Sequence, residues 1–335
     1  MAMGFLSGPR AGHGPNLGHG WVKYVVIGED GQELPPVVFP AMIGRAGATV
    51  AGALAQIRWV QLGSERYWVG EDALLSPSPQ TLIAQQRLVD PTFIPVLLRA
   101  ALARLGSTNG GPAGQCVTGL PASWASSRER ASQLGQRFRD AGVGFGGIRV
   151  IPEPLGLIYS LLLDNDGEIA GDPALQTGRI GVVDLGHLTD DLVVVDRMRP
   201  VPDSLMTFQL GTSRPLQRVR DQLGTYVERE LSLFEVDQAI RQGGVRAAGQ
   251  LEPLPDGWDR PLMDNGEDLA ARMVEVWGRG TQLDAILVGG GGAELAAKVA
   301  PILRRFPHAL VVPEPQLAIA RGYARLARRE AQAQQ

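Results

Sequence analysis

The sequence predicts an α/β protein built from two related halves. A strand and a Pro-Glu-Pro corner lead into an apolar helix at residues 150–155, and the same series returns at residues 311–316. A glycine turn also follows a strand near the head of each half, at residues 18–20 and at Gly186. Two copies of one pattern predict two α/β domains, joined by two helices that begin at matching corners.

Length, charge and cysteine content limit the number of domains and exclude several classes of protein. A chain of 335 residues suits two domains, and its net charge of −3 argues against a strongly basic nucleic-acid binder. Cys116 is the only cysteine, so a disulfide within the chain and a cysteine metal cluster are both excluded. The first residues lack a long apolar stretch, and no apolar run reaches the roughly 18 residues of a membrane span. We therefore expect a soluble, cytoplasmic protein.

The first half begins with a possible phosphate-binding loop. Residues 1–15 are rich in Gly and Pro and are expected to be irregular. The sequence Asn-Leu-Gly-His-Gly-Trp-Val-Lys starts at Asn16, and Lys23 falls on the strand after the turn. A glycine turn lets the backbone approach a phosphate, and Lys23 could reach back to its charge. A simple glycine-rich lead-in to a strand explains the pattern equally well.

Helix and strand signals then continue in order to the first corner. Apolar spacing predicts a helix at residues 91–105, followed by a strand at residues 115–120. Ser126 and Glu129 have the spacing of a capping box, which predicts the start of the next helix. A strand at residues 148–151 leads to the corner.

The second half is organised around a predicted β-hairpin at residues 180–195. An apolar strand ends in Asp184, Gly186 makes a tight turn, and Thr189 and two aspartates precede a second β-branched run. Turn amides and a hydroxyl can donate to a phosphate, and Asp184 can hold a hydrated cation. The alternative is an ordinary hairpin with a solvated turn.

A second glycine-rich segment lies further along this half. Thr212 or Ser213 is expected to cap a helix. Later, a short apolar strand from Asp284 runs into four consecutive glycines, which precede a helix. This arrangement leaves room for a flat or phosphorylated ligand, and the helix dipole favours an anion. A flexible strand-to-helix loop is the alternative. The helices predicted in this part of the chain cover residues 234–241, 267–277 and 293–304.

The order of these motifs resembles the actin-like ATPase superfamily, and most of all the bacterial ParM-type actins that segregate plasmids. The series comprises a glycine turn with a lysine, a Pro-Glu corner, an Asp-x-Gly-x-x-Thr hairpin, a Leu-Gly-Thr-Ser-Arg-Pro-Leu helix start and a strand with a glycine-rich turn. The resemblance covers residues 16–326. It implies an actin-like fold of two related α/β domains with a nucleotide cleft between them. Domain I would be residues 1–155, completed by the C-terminal helix 315–335, and domain II residues 156–314.

When the family's functional residues are assigned to the matching positions of this sequence, the resemblance implies a nucleotide-binding site. Glu153 would be catalytic, orienting or deprotonating the attacking water, and Asp184 would be catalytic and hold Mg²⁺ through water. The helices after the two corners would form the hinge, where Gly156 and Gly322 allow a close crossing. The implied nucleotide-binding residues are Asn16, Gly18, His19, Gly20, Lys23, Gly186, His187, Thr189, Asp191, Gly211, Gly289, Gly290, Gly291 and Gly292.

The chain departs from the family at three site positions and at its first strand. Asn16 stands where the family has an aspartate, and a neutral amide holds hydrated Mg²⁺ more weakly. His19 and His187 lie on the two loops that face each other across the γ-phosphate in the family, and we expect these imidazoles either to donate to the nucleotide or to point outward. The residues before Asn16 are not apolar enough for a central strand. That strand comes either from residues 3–6, after a bulging loop, or from a domain edge that is built differently.

The function that the resemblance implies is slow ATP hydrolysis coupled to filaments that segregate plasmid DNA. Its cofactors would be ATP (or GTP) and Mg²⁺, and its main partner would be itself. DNA would be reached through a DNA-binding adaptor, because no motif for direct nucleic-acid binding is present. A low-turnover nucleotide-binding scaffold is the first alternative, favoured by Asn16, and a small-molecule kinase of the same superfamily is the second. The last helix is expected to carry a solvated basic end and not to bind a membrane, on the pattern of Arg321, Arg325, Arg328 and Arg329.

Overall fold

Two mixed β-sheets with helices packed on them organise the protein. The computed structural model describes residues 10–47, 59–83, 85–106 and 114–333. The strands are β1 (Gly12–Leu17), β2 (Trp21–Ile27), β3 (Val37–Pro40), β4 (Ile43–Arg45), β5 (Trp59–Leu62), β6 (Glu65–Val69), β7 (Gln115–Leu120), β8 (Gly147–Pro152), β9 (Arg179–Leu185), β10 (Asp190–Asp196), β11 (Arg199–Pro200), β12 (Met206–Phe208), β13 (Gly244–Ala247), β14 (Gln250–Pro253), β15 (Ala285–Gly289) and β16 (Ala309–Val311). The helices are α1 (Gln86–Val89), α2 (Phe93–Arg104), α3 (Arg128–Asp140), α4 (Leu155–Leu162), α5 (Pro173–Thr177), α6 (Ser213–Tyr226), α7 (Leu233–Gln242), α8 (Arg260–Trp277), α9 (Ala296–Arg305) and α10 (Pro315–Ala333).

The two sheets share one topology. In the first, the strand order is β3–β2–β1–β7–β8, with β2 antiparallel to both of its neighbours and β7 parallel to both of its own. In the second, the order is β11–β10–β9–β15–β16, with β10 antiparallel and β15 parallel to their neighbours, while β12 also pairs with β10. The sequence repeat is therefore a repeat of structure, and the predicted pair of related α/β halves is confirmed.

Each half also carries a small additional unit. In the first half, β4, β6 and β5 form a three-stranded antiparallel sheet. In the second half, β13 and β14 form a hairpin beside α6, α7 and α8, where Val219, Leu223 and Val236 share one apolar cluster. One cap differs from expectation, because Ser127, and not Ser126, accepts from the Arg130 amide at the start of α3.

The central strand of the first sheet is β1, so the expectation that residues up to 15 are irregular is wrong for residues 12–15. A Cβ on Gly12 would lie 2.2 Å from the Ala324 carbonyl oxygen, and a Cβ on Gly14 would lie 2.0 Å from that of Ala320. Helix α10 therefore packs directly on the strand backbone, which needs glycine where a central strand usually has apolar side chains. The alternative strand at residues 3–6 lies outside the described residues.

Helices α4 and α10, which begin after the two Pro-Glu corners, cross at backbone contact. A Cβ on Gly322 would lie 1.9 Å from the Gly156 carbonyl oxygen, and a Cβ on Gly156 would lie 2.8 Å from that of Ile319. No side chain larger than hydrogen fits between these surfaces. The expected close crossing at small residues is thus present, directly beneath the junction of the two sheets.

The arginines of α10 bind neighbouring loops, so the expected solvated basic end is wrong. Arg321 holds Glu33 through two hydrogen bonds of 2.8 and 2.9 Å. Arg328, only 4% exposed, donates to the carbonyl oxygens of Arg10 and Glu29 at 2.6 and 2.7 Å. Carbonyl groups in loops lack the backbone N–H partners that strands and helices provide, and here the N–H groups of the arginine side chain donate to them instead. Among the described residues, no helix combines the length and apolar character needed to cross a bilayer.

The helix crossing leads to a stability prediction. Replacing Gly322 with alanine forces a methyl group into the Gly156 carbonyl, so we expect a loss of roughly 1–3 kcal/mol, the usual result of overpacking. Gly135→Ala is the matched control, because its Cβ would meet only the end of Arg139 at 3.6 Å and alanine favours a helix by about 0.5–1 kcal/mol. Urea denaturation measures both changes, and equal midpoints for the two variants would contradict the close crossing.

Candidate functional site

A cavity of about 480 Å³ lies between the two halves, where the turns of the two central hairpins meet. Its volume is in the usual range for a small-molecule site. Both halves contribute to its walls, and most of the residues that the sequence singled out are among them. These residues are Asn16, Gly18, His19, Gly20, Lys23, Glu153, Asp184, Gly186, His187, Thr189, Asp191, Gly291 and Gly292.

Three of the expected binding glycines do not line this cavity and instead support its wall. A Cβ on Gly211 would lie 2.3 Å from the backbone of Leu188, so this glycine lets the chain pass behind the hairpin turn. Gly289 is enclosed at the end of β15, where a Cβ would meet Leu157 at 2.4 Å. Gly290 has φ +84°, and its Cβ would lie 2.1 Å from an oxygen of Asp184, so glycine is needed for both shape and space.

Two histidines lie on the facing turns. A Cβ on Gly20 would be 2.7 Å from the Cγ of His187, which shows how closely the turns approach. Burial lowers the pKa of His19 to about 3, helped by the charges of Arg87 and Lys23, and it lowers the pKa of His187 to about 4. Both imidazoles are therefore neutral at pH 7, and each has one nitrogen that donates and one that accepts.

Three carboxyl groups from three separate elements meet on the cavity floor. Glu153 follows β8, Asp184 lies on β9 and Asp191 on β10, and an oxygen of each lies within 4.8 Å of the others. Burial raises all three pKa values, and the neighbouring carboxyl groups add to the shift for the two aspartates, which brings the pKa of Asp191 to about 7 and that of Asp184 well above its usual range. Positive charge at this point would relieve both the burial and the repulsion.

Lys23 supplies part of that charge. Its ammonium group donates to the Oδ1 atom of Asn16 at 3.1 Å, across the paired strands β1 and β2. Burial lowers its pKa, while the charges of Asp184 and Glu153 raise it. Since Asn16 is itself neutral, the carboxyl groups that act on this lysine are those of Asp184 and Glu153.

The carboxyl cluster fits a divalent cation of the kind the resemblance implies. Hard cations such as Mg²⁺ take carboxylate and water oxygens, often with several waters retained. Asp184 is only 6% exposed, and among the described residues burial and neighbouring charges, with no hydrogen bond, set the pKa of its carboxyl group. Asp184, with Glu153 and Asp191 around it, could therefore hold such an ion directly or through water.

Sequence reasoning missed the lysine that holds the second hairpin in place. Lys298 of α9 is fully buried and donates to the Asp190 carboxylate, to the Leu210 carbonyl and to the Asn265 side chain, each at 2.7 Å. Burial raises the pKa of Asp190 to about 6 despite this partner. The sequence feature that could have revealed this lysine is its place on the apolar side of a predicted helix. Its partners could not be predicted, because they lie as far as 108 positions away in the chain.

Contacts between the halves also cross the cleft on both sides of the cavity. Thr207, on β12 beside β10, hydrogen-bonds the Ser123 hydroxyl at 2.9 Å and donates its own proton to the Asp191 carboxyl group. On the other side, the rings of Trp21 and Phe234 lie 6.0 Å apart. The structure is therefore closed around the cavity, with the crossing of α4 and α10 below it.

Duplicated sheets, crossing helices and a cleft between two glycine turns define an actin-like fold. Residues 16–156 match the family model for the N-terminal domain of actin-like proteins. The resemblance found in the sequence is confirmed, and with it the predicted fold class.

Solved structures with the same fold include bacterial and archaeal proteins. A Clostridium botulinum ParM, solved as a 15-stranded filament, is 19% identical over 96% of this chain and 99% of that chain, with a TM-score of 0.69. Ta0583, an archaeal actin homologue, is 17% identical over 97% and 99%, with a TM-score of 0.68. A Bacillus thuringiensis ParM with AMPPNP is 14% identical over 94% and 97%, with a TM-score of 0.65. No curated protein matches the sequence significantly.

The carboxyl cluster leads to a prediction for the ligand-free protein. Asp184→Asn removes a carboxyl group whose raised pKa costs folding free energy at every pH above the ordinary pKa of an aspartate, so we expect a melting temperature higher by about 2–4 °C, the shift that roughly 1 kcal/mol produces in a domain of comparable size. Asp196→Asn is the control, because Asp196 is partly exposed and paired with Arg179 at 3.2 Å, where a salt bridge contributes little. Calorimetry at pH 7.5 without divalent cations measures both, and a less stable Asp184→Asn protein would contradict the repulsion.

Proposed function

We propose that the chain is a nucleotide-dependent actin-like ATPase that assembles into filaments. The observation that carries the proposal is the meeting of two glycine turns, one lysine and three carboxyl groups, contributed by both halves, on a single cavity. The nature of the relatives supports it: Ta0583 was solved in complex with ADP, Bacillus thuringiensis ParM with AMPPNP and with ATP, and the Clostridium botulinum ParM as a filament.

The residues around the cavity have the chemistry to hold a nucleoside triphosphate. Gly18, Gly20 and Gly186 let backbone amides approach the phosphates, while Lys23 and Thr189 contact the phosphate oxygens. Gly291 and Gly292 border the nucleoside, which is that of ATP or GTP. Mg²⁺ held through water at Asp184 would neutralise phosphate charge in the reaction.

Hydrolysis needs one base beside the attacking water. Glu153 faces the same cavity from the end of β8, and its carboxylate accepts the water's proton as the oxygen bonds to the γ-phosphorus. Phosphoryl transfer depends mainly on positioning and charge, so a single carboxylate suffices for slow turnover.

Nucleotide binding would control assembly by closing the cleft between the two halves. A triphosphate that binds both turns favours the closed arrangement, and the closed form is the one that adds head to tail. Hydrolysis then weakens the contacts between subunits. In the cytoplasm, such filaments would segregate plasmid DNA that is attached through a DNA-binding adaptor. The two domains we assign are residues 1–155 with helix 315–335, and residues 156–314.

Asn16 favours a second candidate, a nucleotide-binding scaffold with little turnover. Its amide is 4% exposed and already bonded to Lys23, so it offers no negative charge to hydrated Mg²⁺. A chain with this site would bind nucleotide and keep it.

Light scattering separates the two candidates. We expect scattering to rise when Mg-ATP or Mg-GTP is added, to stay low without nucleotide, and to fall again as phosphate is released, with filaments visible by negative stain. Glu153→Gln is the matched variant: filaments should form and persist, while phosphate release slows by about 10²–10⁴-fold. Tight nucleotide binding without scattering or phosphate release would instead establish the scaffold.

The two imidazoles provide a separate test of the phosphate site. If His19 and His187 donate to phosphate oxygens, replacing both with glycine should weaken nucleotide binding about tenfold, the result of losing two hydrogen bonds of roughly 0.5–1.5 kcal/mol each. His308→Gly, outside the cavity, is the control. Titration calorimetry with AMPPNP measures the affinity, and unchanged binding of the double variant would show that the imidazoles do not contact the nucleotide.

A further inference from the structure

A second, much smaller cavity lies behind the phosphate end of the main one. Its volume is about 30 Å³, and its walls include His19 and Glu153, which also line the large cavity. The small cavity therefore lies directly behind the carboxylate proposed as the base. Thr118 and Arg87 supply further polar groups to its wall.

Arg87 is the unusual member of this wall. It lies on α1, is only 6% exposed, and donates one hydrogen bond to the Leu17 carbonyl at 2.6 Å. Its guanidinium lies 5.4 Å from the centre of the Phe93 ring, but among the described residues its Nε atom has no hydrogen-bond partner and no carboxylate forms an ion pair with it. A buried cation without a close counterion costs free energy, so its retention here calls for a function.

The small cavity can join Arg87 to Glu153 through water. A buried water needs about 10–15 Å³ and two to four polar partners, so this cavity has room for one. Arg87 lines this cavity, so an N–H group of its guanidinium can donate to such a water, and the water can donate to the Glu153 carboxylate. Thr118 already donates to the Pro15 carbonyl at 2.8 Å, which leaves its oxygen to accept the water's second proton.

We propose that Arg87 is a positioning residue for hydrolysis, which holds the Glu153 carboxylate, through one water in the small cavity, in the orientation that receives a proton from the attacking water. This inference rests on the proposed ATPase function. In the step it serves, the attacking oxygen bonds to the γ-phosphorus, the bond from that phosphorus to the bridging oxygen breaks, and the attacking water's proton passes to Glu153.

The position of Arg87 explains why Lys23 cannot replace it. Lys23 lines the large cavity, so a bound triphosphate engages its charge. Arg87 lines the small cavity and not the large one, so a bound triphosphate leaves its charge free to act on Glu153, which lines both. Its contribution is thus to catalysis, with little effect on binding.

The experiment compares Arg87→Ala and Arg87→Lys with the wild-type protein. We expect the kcat for phosphate release to fall at least about tenfold in Arg87→Ala, since a positioned base contributes about 10²–10⁴-fold, while the Kd for AMPPNP changes less than about twofold. Millimolar guanidinium should restore part of the kcat of Arg87→Ala. Arg87→Lys, which keeps the charge, should retain more of it and remains informative if the alanine variant fails to fold.

Arg328→Ala is the matched control. Arg328 is also buried and bonded to two backbone carbonyls, but it lies outside both cavities, so its loss should lower stability without changing kcat. A kcat unchanged in both Arg87 variants, a parallel loss of nucleotide affinity, or no rescue by guanidinium would overturn the positioning role and leave the proposed ATPase standing. Wild-type protein that binds AMPPNP yet releases no phosphate would overturn the ATPase, and the role of Arg87 with it.

Discussion

The crowding of three carboxyl groups, two of them buried and one half-buried, beside one lysine is the interaction on which the rest of the site depends. Their oxygens lie within 4.8 Å of one another, although Glu153 belongs to the end of the first sheet and the two aspartates to the second. The repulsion in such an arrangement is relieved by the protons that the raised pKa values retain, by the charge of Lys23, and by any cation or cation-bound ligand from outside. Positive charge at this point therefore acts on both halves at once, because the three carboxyl groups come from both sheets.

The halves can meet this closely at the crossing of α4 and α10 because backbone, and not side chains, forms that contact. Helix α10 packs on the glycines of β1 and crosses α4 at Gly156 and Gly322. The arginines of the same helix then tie the surrounding loops to it, as in the bonds from Arg328 to two carbonyls. One helix therefore carries both the contact between the halves and the anchoring of the loops beside it, while Lys298 anchors the second hairpin independently.

Local patterns made much of the fold predictable, and long-range packing explains what was missed. The hairpin around Asp184 and the two Pro-Glu corners are local features, so the sequence alone predicted them correctly, and the site residues that follow from them largely share one cavity. Strand β1 was missed because its glycines are required by the packing of a helix more than 300 positions away. The burial of Arg328 was missed because its hydrogen-bond partner, the Arg10 carbonyl, is equally distant in the chain. Likewise, the distinction between Gly291, which lines the cavity, and Gly289, which packs behind it, depends on partners such as Leu157 that no local pattern reveals.

The aromatic contact across the cleft makes the intrinsic tryptophan fluorescence of the protein sensitive to movement of the two halves. Trp21 belongs to the first half and Phe234 to the second, and their rings lie 6.0 Å apart at the wall of the large cavity. Any separation of the halves withdraws the indole from that ring and exposes it to water, which changes the wavelength and intensity of its emission. Of the six tryptophans in the chain, Trp21 is thus placed to report any movement of the halves in real time and without a label.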